Sequence, residues 1–414
     1  MTDSHCVLPW MHLFVDGHGY FYNCCFGIAT DAYSKTAAGE LIRAGEPDAI
    51  LRHWNSAAMR DLRASFNRRE KHPACLRCWQ IEETGSESFR AIVNREYPIR
   101  EELRTEVAAP SFRYVDLRFG NLCNLACRMC IPYNSRKLFD EYEQLFDAAA
   151  VDPYRNMNWF ESPLFWEELH RYRHHMEKLH LAGGEPLLIK DCWNFLRRLV
   201  EDGTSKNITL SYNTNLSRIS PEAKELWPRF KNVVLIVSMD AVGPANEFIR
   251  HPQSWTDFDR NLRTIEDEYE AYNIRTCQVQ TTVQAYNVLR IEEICDYLAG
   301  YRKVLSYPLF NFLFEPEHLS PHVLPEAYRA EAIARIEAYV TKLQAGWNSL
   351  HPNKRDPLVA GLRGVAAFLR GPEKGHLFRQ FQRHNDIFDR HRGQRILDYL
   401  PELAPLYGHP AGVP

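Results

Sequence analysis

The stretch Tyr114–Cys130 reads YVDLRFGNLCNLACRMC, and its cysteines, Cys123, Cys127 and Cys130, are spaced C-x3-C-x2-C. Thiolates hold iron-sulfur clusters, and one short loop can give three sulfurs to three irons of a cubane while the fourth iron keeps no protein ligand. An iron left open in this way is a reactive one. Structural zinc takes four protein ligands, and no fourth cysteine or histidine stands close by in the sequence. The spacing therefore points to a cluster, with a zinc knuckle as the alternative.

A second set of thiols precedes it. Residues 1–90 contain Cys6, the pair Cys24 and Cys25, and then Cys75 and Cys78 as C-x2-C. Little of this stretch follows a continuous apolar pattern, so a module of this size would draw much of its stability from a metal site. Four thiolates suit a zinc ion as well as a cluster, and Cys25 competes with Cys24 as the ligand. The remaining Cys192, Cys277 and Cys295 fall in helical or strand patterns and read as core, as do His180 and the pair His174 and His175 as core or solvent-facing groups.

These sites need a scaffold, and the composition sets its class. At 414 residues, 45% hydrophobic and 25% charged, the chain reads as a globular protein of two or three domains. A formal net charge of -3 argues against wholesale binding of nucleic acid or acidic membranes. No apolar run reaches the length of a membrane span and the start, MTDSHCVLPW, has no signal-peptide pattern, so a cytoplasmic protein is expected. In a reducing compartment eleven cysteines point to metal or redox chemistry rather than disulfides.

The element pattern is α/β. Residues 1–90 form the cysteine-rich module, with a hairpin expected around Asp16 to Gly19, and the charged, proline-containing residues 91–110 read as a linker. From 111 to 316 strands alternate with helices, the candidate strands being Tyr114 to Phe119, Lys178 to Ala182, Ile208 to Tyr212, Val233 to Ser238, Gln278 to Val283 and Leu309 to Phe314. Repeated strand-helix units imply parallel strands with right-handed crossovers, and a site at the strands' C-terminal ends. Two helix-like pieces, 135–146 and 165–178, fill the long connection after the cysteine loop, and residues 317–414 read as a helical C-terminal region.

The C-x3-C-x2-C loop after a first strand resembles the signature of the radical S-adenosylmethionine (SAM) superfamily. The resemblance implies a partial (βα)6 TIM-type barrel whose 4Fe-4S cluster leaves one iron for the amino and carboxylate groups of SAM. An aromatic residue usual before the last cysteine is Met129 here, still apolar and able to cover the cluster. Gly183, Gly184 and Glu185 after the second strand resemble the motif that binds the methionyl amino group. Asn213 and Asn215 stand where relatives bind ribose, although Leu216 replaces the usual glycine. Ser238 near the end of the fourth strand, Arg250 beyond it as a carboxylate clamp, and Val283 on the fifth strand against adenine complete the implied pocket, with Ala241 in place of another glycine.

The N-terminal module resembles the auxiliary-cluster domains called Twitch and SPASM. Cys6 precedes Pro9 and Trp10, Gly19 stands five before Cys24, and Trp54, Asn55 and Ser56 precede Cys75 and Cys78. Four cysteines imply the shorter, Twitch type, with a second 4Fe-4S cluster at Cys6, Cys24, Cys75 and Cys78. Its place before the barrel departs from the usual order. The implied activity is reductive cleavage of SAM to a 5′-deoxyadenosyl radical that abstracts hydrogen from a substrate. A reducing partner such as flavodoxin or ferredoxin is implied with it. The expected outcome is modification of a ribosomal peptide. A dehydrogenase of a small alcohol, sugar or aminocyclitol and a zinc-stabilised scaffold are the alternatives.

Overall fold

The computed structural model describes residues 4–27, 33–83, 85–98, 105–346 and 351–407. Part of the expected linker, 99–104, and the end of the C-terminal region, 408–414, lie outside them. Among the described residues eight strands form: β1 (His12–Val15), β2 (Phe21–Tyr22), β3 (Tyr114–Arg118), β4 (Lys178–Ala182), β5 (Thr209–Thr214), β6 (Asn232–Ser238), β7 (Ile274–Val283) and β8 (Leu309–Phe312). The chain divides into two compact units, the first made of Met1–Leu122, Asn156–Tyr212 and Pro221–Val233, the second of Cys123–Arg155, Asn213–Ser220 and Val234–Pro414.

In the first unit the strand order is β2-β1-β3-β4-β5. β1 and β2 are the expected hairpin, antiparallel with Phe14 opposite Tyr22, and Asp16 closes its turn by accepting from the Tyr20 amide at 2.8 Å. The sequence pattern did not foretell that β1 also pairs in parallel with β3, Phe14 opposite Asp116. β3 continues in parallel to β4 and β4 to β5, with Asp116 opposite His180 and His180 opposite Ser211. The β4–β5 connection runs through helix Lys190–Glu201, which buries Phe195, Leu196 and Leu199 and so gives the crossover its apolar underside. Helix Phe89–Glu96 takes up residues expected in the module's end and the linker. Its N-cap Ser88 accepts from the Ala91 amide, and its Asn94 ties down the chain around Cys6.

In the second unit the order is β6-β7-β8, with β7 parallel to β8. β7 starts earlier than its sequence pattern, at Ile274, and β8 stops at Phe312 because Phe314 is exposed and Glu315-Pro316 follows. The C-terminal region is helical as expected: Glu326–Gln344, Pro352–Leu369 and Phe378–Arg392 are its long helices. Ile336, Val340, Leu343, Leu362, Val365 and Phe381 are buried in one apolar cluster with Met129 and Val283. The architecture is thus mixed α/β with mostly parallel strands, a cysteine-bearing N-terminal module and a helical C-terminal region.

Candidate functional site

The three-cysteine loop opens the second unit. Its backbone runs beside the segment after β6: the Ala126 amide donates to the His251 carbonyl at 2.6 Å and the Arg128 amide to the Ile249 carbonyl at 2.8 Å. Cys127 is buried, and the Cys130 amide donates to the Cys127 carbonyl at 3.1 Å, closing a turn that sets two thiols side by side. Their sulfurs share a hydrogen bond that lowers the Cys127 thiol and, with burial, pushes the Cys130 thiol well above its ordinary value, while the nearby Arg250 guanidinium pulls both downward more weakly. Cys123 Sγ accepts from the Leu125 amide at 3.4 Å and faces the Asn215 side-chain amide at 3.8 Å. Met129 is buried in the apolar cluster beneath.

Arg250 is no surface residue. It is almost wholly buried, its Nη2 lies 2.7 Å from Asp240, itself fully buried, and among the described residues its Nε makes no hydrogen bond. A guanidinium with one edge spent on a carboxylate and an unspent donor is suited to a second carboxylate. Asp240 is in turn held by the Thr282 amide at 2.8 Å. The Asn213 Oδ1 atom is also buried without a partner, whereas the Asn215 amide is spent on Asn124 at 2.9 Å and on the Ser217 amide. Leu216 adopts φ +50°, so the turn keeps the left-handed conformation that glycine takes more cheaply. Ser238 lies on the half-buried face of β6. On β7 the half-buried face carries Gln280 and Thr282, while Val283 is fully buried on the other face and serves packing.

Gly183, Gly184 and Glu185 belong to the first unit. A Cβ on Gly183 would stand 2.7 Å from the Phe119 carbonyl, and one on Gly184 2.4 Å from the carbonyl of Leu122, the residue before Cys123. Only glycine allows this approach. The Glu185 amide donates to that same Leu122 carbonyl at 2.9 Å, and its carboxylate caps the Leu187 amide.

The module's thiols gather from distant parts of the sequence. Cys6, Cys24, Cys75 and Cys78 line one cavity with Pro9, Phe66 and Arg90. The Trp54-Asn55-Ser56 triplet shows how the sequence brings them there. Trp54 is fully buried under the Arg63 guanidinium, Asn55 accepts from Arg63 at 3.0 Å and from the Ala108 amide at 3.2 Å, and Ser56 caps helix Ala57–Asn67. Arg63 then reaches the Pro9 carbonyl at 2.9 Å and fixes the segment after Cys6. From the other side Arg90, paired with Glu82 at 2.7 Å, donates to the His5 carbonyl. Burial pushes the Cys6 thiol up to about 12 and raises Cys24 and Cys75 with it. Such thiols ionise when a metal pays back the lost hydration, and metal uptake there releases protons. Cys25 does not line this cavity, and Asp116 and Arg118 are among the charges acting on it.

Among the described residues no three His, Cys, Asp or Glu side chains converge as the ligands of a single metal ion do. A cubane asks for something else, because each thiolate meets a different iron.

Comparison with protein families matches the radical SAM superfamily model over residues 117–306 and an iron-sulfur cluster-binding domain, SPASM, over residues 6–79. The chain thus carries a radical SAM domain and, before it, an iron-sulfur cluster-binding SPASM domain. Its SPASM-type module precedes the barrel, as the cysteine pattern required, and the family's cofactors are SAM, a 4Fe-4S cluster and, in the module, auxiliary iron-sulfur. Among solved structures, native anSMEcpe with bound AdoMet is 15% identical at a TM-score of 0.36, over 55% of this chain and 60% of that one. Streptococcus suis SuiB bound to precursor peptide SuiA is 13% identical at 0.34, over 66% and 60%. The methyltransferase TsrM from Kitasatospora setae, with cobalamin and a 4Fe-4S cluster, is 13% identical at 0.34, over 53% and 36%. The chain thus spans 60% of the length of the first of these, and likenesses of this size carry nothing about substrate. Among the curated proteins none matches.

The loop thiols with the Arg250 and Asn213 atoms in the second unit, and separately the glycine cradle in the first, are donor sets of the kind that SAM and a 4Fe-4S cluster need. Sequence reasoning missed one row of polar groups in the first unit. On β3, β4 and β5 the register aligns Asp116, His180 and Ser211 on one face. Asp116 is fully buried and paired with Arg118 at 2.8 Å, and His180 Nδ1 lies 2.9 Å from Ser211 Oγ. Burial and the Arg118 charge keep His180 neutral. The signal was legible: in YVDLRF, KLHLA and TLSYNT the polar letters share one alternation phase.

No helix among the described residues is long and apolar enough to cross a membrane.

Proposed function

We propose that this chain is a radical SAM enzyme that modifies a peptide, with Cys123, Cys127 and Cys130 holding the catalytic 4Fe-4S cluster and Cys6, Cys24, Cys75 and Cys78 a second one. The observation that carries the reading is the cysteine loop with a buried cation beside it, Arg250, which keeps one donor unspent. When bound, the cluster and SAM supply a 5′-deoxyadenosyl radical able to take hydrogen from an unactivated C–H bond. The chain's own part is geometric. In the second unit Arg250 Nε would hold a methionyl carboxylate and Asn213 Oδ1 would accept from a ribose hydroxyl; the Gly183–Glu185 turn of the first unit would offer carbonyls to an amino group. The buried Asp116–Arg118 and His180–Ser211 pairs give the first unit fixed hydrogen-bonding groups. A flavodoxin- or ferredoxin-like partner supplies electrons, and the location is cytoplasmic.

The peptide reading is favoured by a cavity of about 470 Å³ in the second unit, next to the cysteine loop. Ile131, Tyr142, Phe146, Tyr154 and Leu377 line it, with carboxylates at Glu315 and Glu317. Its apolar side suits amino-acid side chains, while Glu315, Glu317, His318 and Gln380 supply polar partners. Anaerobic reconstitution with iron and sulfide tests the reading: about eight irons per chain and release of 5′-deoxyadenosine from SAM under dithionite are expected. Zinc without iron, or no cleavage, contradicts it.

A further inference from the structure

The residue between the second and third loop cysteines, other than Met129, is an arginine, and it is wholly buried. Arg128 donates from Nε to the Phe248 carbonyl at 3.2 Å, from Nη1 to Asn385 Oδ1 at 3.1 Å, and from Nη2 to Asp389 at 2.5 Å and to Gln394 Oε1 at 3.1 Å. Its guanidinium lies 3.6 Å from the Phe248 ring centre. Three of these four acceptors come from helix Phe378–Arg392 and the residue after its Gly393 stop. The same helix reaches the loop's other flank. Arg392 forms a buried two-pronged pair with Glu141 at 2.6 and 3.0 Å, and the next residue, Tyr142, donates to the Cys130 carbonyl at 3.1 Å. Asn385 is itself pinned by the Tyr286 hydroxyl at 2.9 Å.

Taking a guanidinium fully out of water costs several kcal/mol, and an ion pair so buried adds little net stability over apolar packing. What such a network does provide is a single geometry, because four of the five guanidinium N–H donors have fixed acceptors. It is spent at the turn that carries Cys127 and Cys130. We infer that helix Phe378–Arg392 is part of the cluster site: through Arg128 and Arg392 it positions the Cys127–Cys130 turn, and the C-terminal region is needed for the cluster to be held. Arg128 and Asp389 are positioning residues in this scheme, touching neither cluster nor SAM. The inference rests on the radical SAM reading for what the loop holds, but the clamp itself is a property of the chain.

The test uses the full chain as Asp389→Asn, Arg128→Lys and, as control, Arg395→Ala, whose arginine is exposed and paired with Asp398. Three readouts apply: iron retained against a chelator, the change SAM makes in the electron paramagnetic resonance signal of the reduced protein, and amide exchange of residues 123–135 in metal-free protein. Asp389→Asn and Arg128→Lys should each lose iron about tenfold faster or more from the SAM-responsive cluster, leave module iron in place, and speed exchange in the loop. Arg395→Ala should change none of these, and Asp389→Glu should restore part of the SAM response. Should Asp389→Asn not fold, Gln394→Ala, which removes one neutral acceptor, must show the same shifts at smaller size. Unchanged retention, signal and exchange in the clamp variants overturn the inference. If the unsubstituted protein shows no SAM response, the functional reading fails and exchange alone decides: faster loop exchange supports the clamp, equal exchange overturns it.

Discussion

The two thiol sites of this chain are built by opposite means. The module's four cysteines come from three separate stretches and meet in an apolar surround of Leu8, Trp10, Leu62, Phe66, Trp79 and Val93, so the fold must be made before the site exists. The other three lie in one loop, and polar groups hold it: Asn215 at Cys123, backbone bonds to Ile249 and His251, and Arg128 between Cys127 and Cys130. Long-range closure suits a site whose ligands are all protein, since metal binding there is folding energy. A local loop with an outside brace suits one that must leave an iron open without collapsing around it.

Breaking the module should therefore cost folding, and breaking the loop should cost chemistry. The double substitution Cys75→Ala with Cys78→Ala removes two of the four thiols proposed to hold the module's cluster. It should lower the thermal midpoint by about 10 °C or more and remove about half of the iron, while SAM cleavage without substrate continues in the folded fraction. Calorimetry with iron analysis decides it. Equal stability with and without these thiols would erase the contrast.

A smaller effect is expected at Gly184, whose missing Cβ leaves room for the Leu122 carbonyl just before Cys123. Gly184→Ala combines a 2.4 Å clash with a left-handed φ of +47° and should destabilise by about 1–3 kcal/mol. Denaturant midpoints measure this, and SAM titration of the same protein should show weaker binding. Weaker still is Asn215→Ala, which removes one donor to Asn124 and the long contact to Cys123: about 1 kcal/mol, with a shift in the reduced cluster's spectrum as its sharper reporter.

How much of this the sequence revealed depends on how local the cause was. The six barrel strands were legible because alternation and turn residues act within a few positions, as in YVDLRF ending at Gly120. The pairing of β1 with β3 was not, because nothing in His12–Val15 states which strand it will meet. Helix Phe89–Glu96 read as linker since its charged letters mask Arg90 and Asn94, which fold back on His5. Arg128 is the sharpest case. An arginine between cysteines reads as solvated, and only the arrival of Asn385 and Asp389, far along the chain, makes it core. His180 was read as a strand residue and it is buried in β4; what the sequence pattern did not state is which neighbours share its face.

The account stands on the proposal that the loop holds a cluster with one iron left open by the polypeptide. Its most direct test is the triple variant Cys123→Ala, Cys127→Ala, Cys130→Ala, prepared without oxygen, reconstituted, and assayed for iron and for 5′-deoxyadenosine from SAM under dithionite. The prediction is about four irons per chain, those of the module, and no deoxyadenosine above background. A variant that keeps about eight irons and continues to form deoxyadenosine would contradict the assignment of this loop as the catalytic centre.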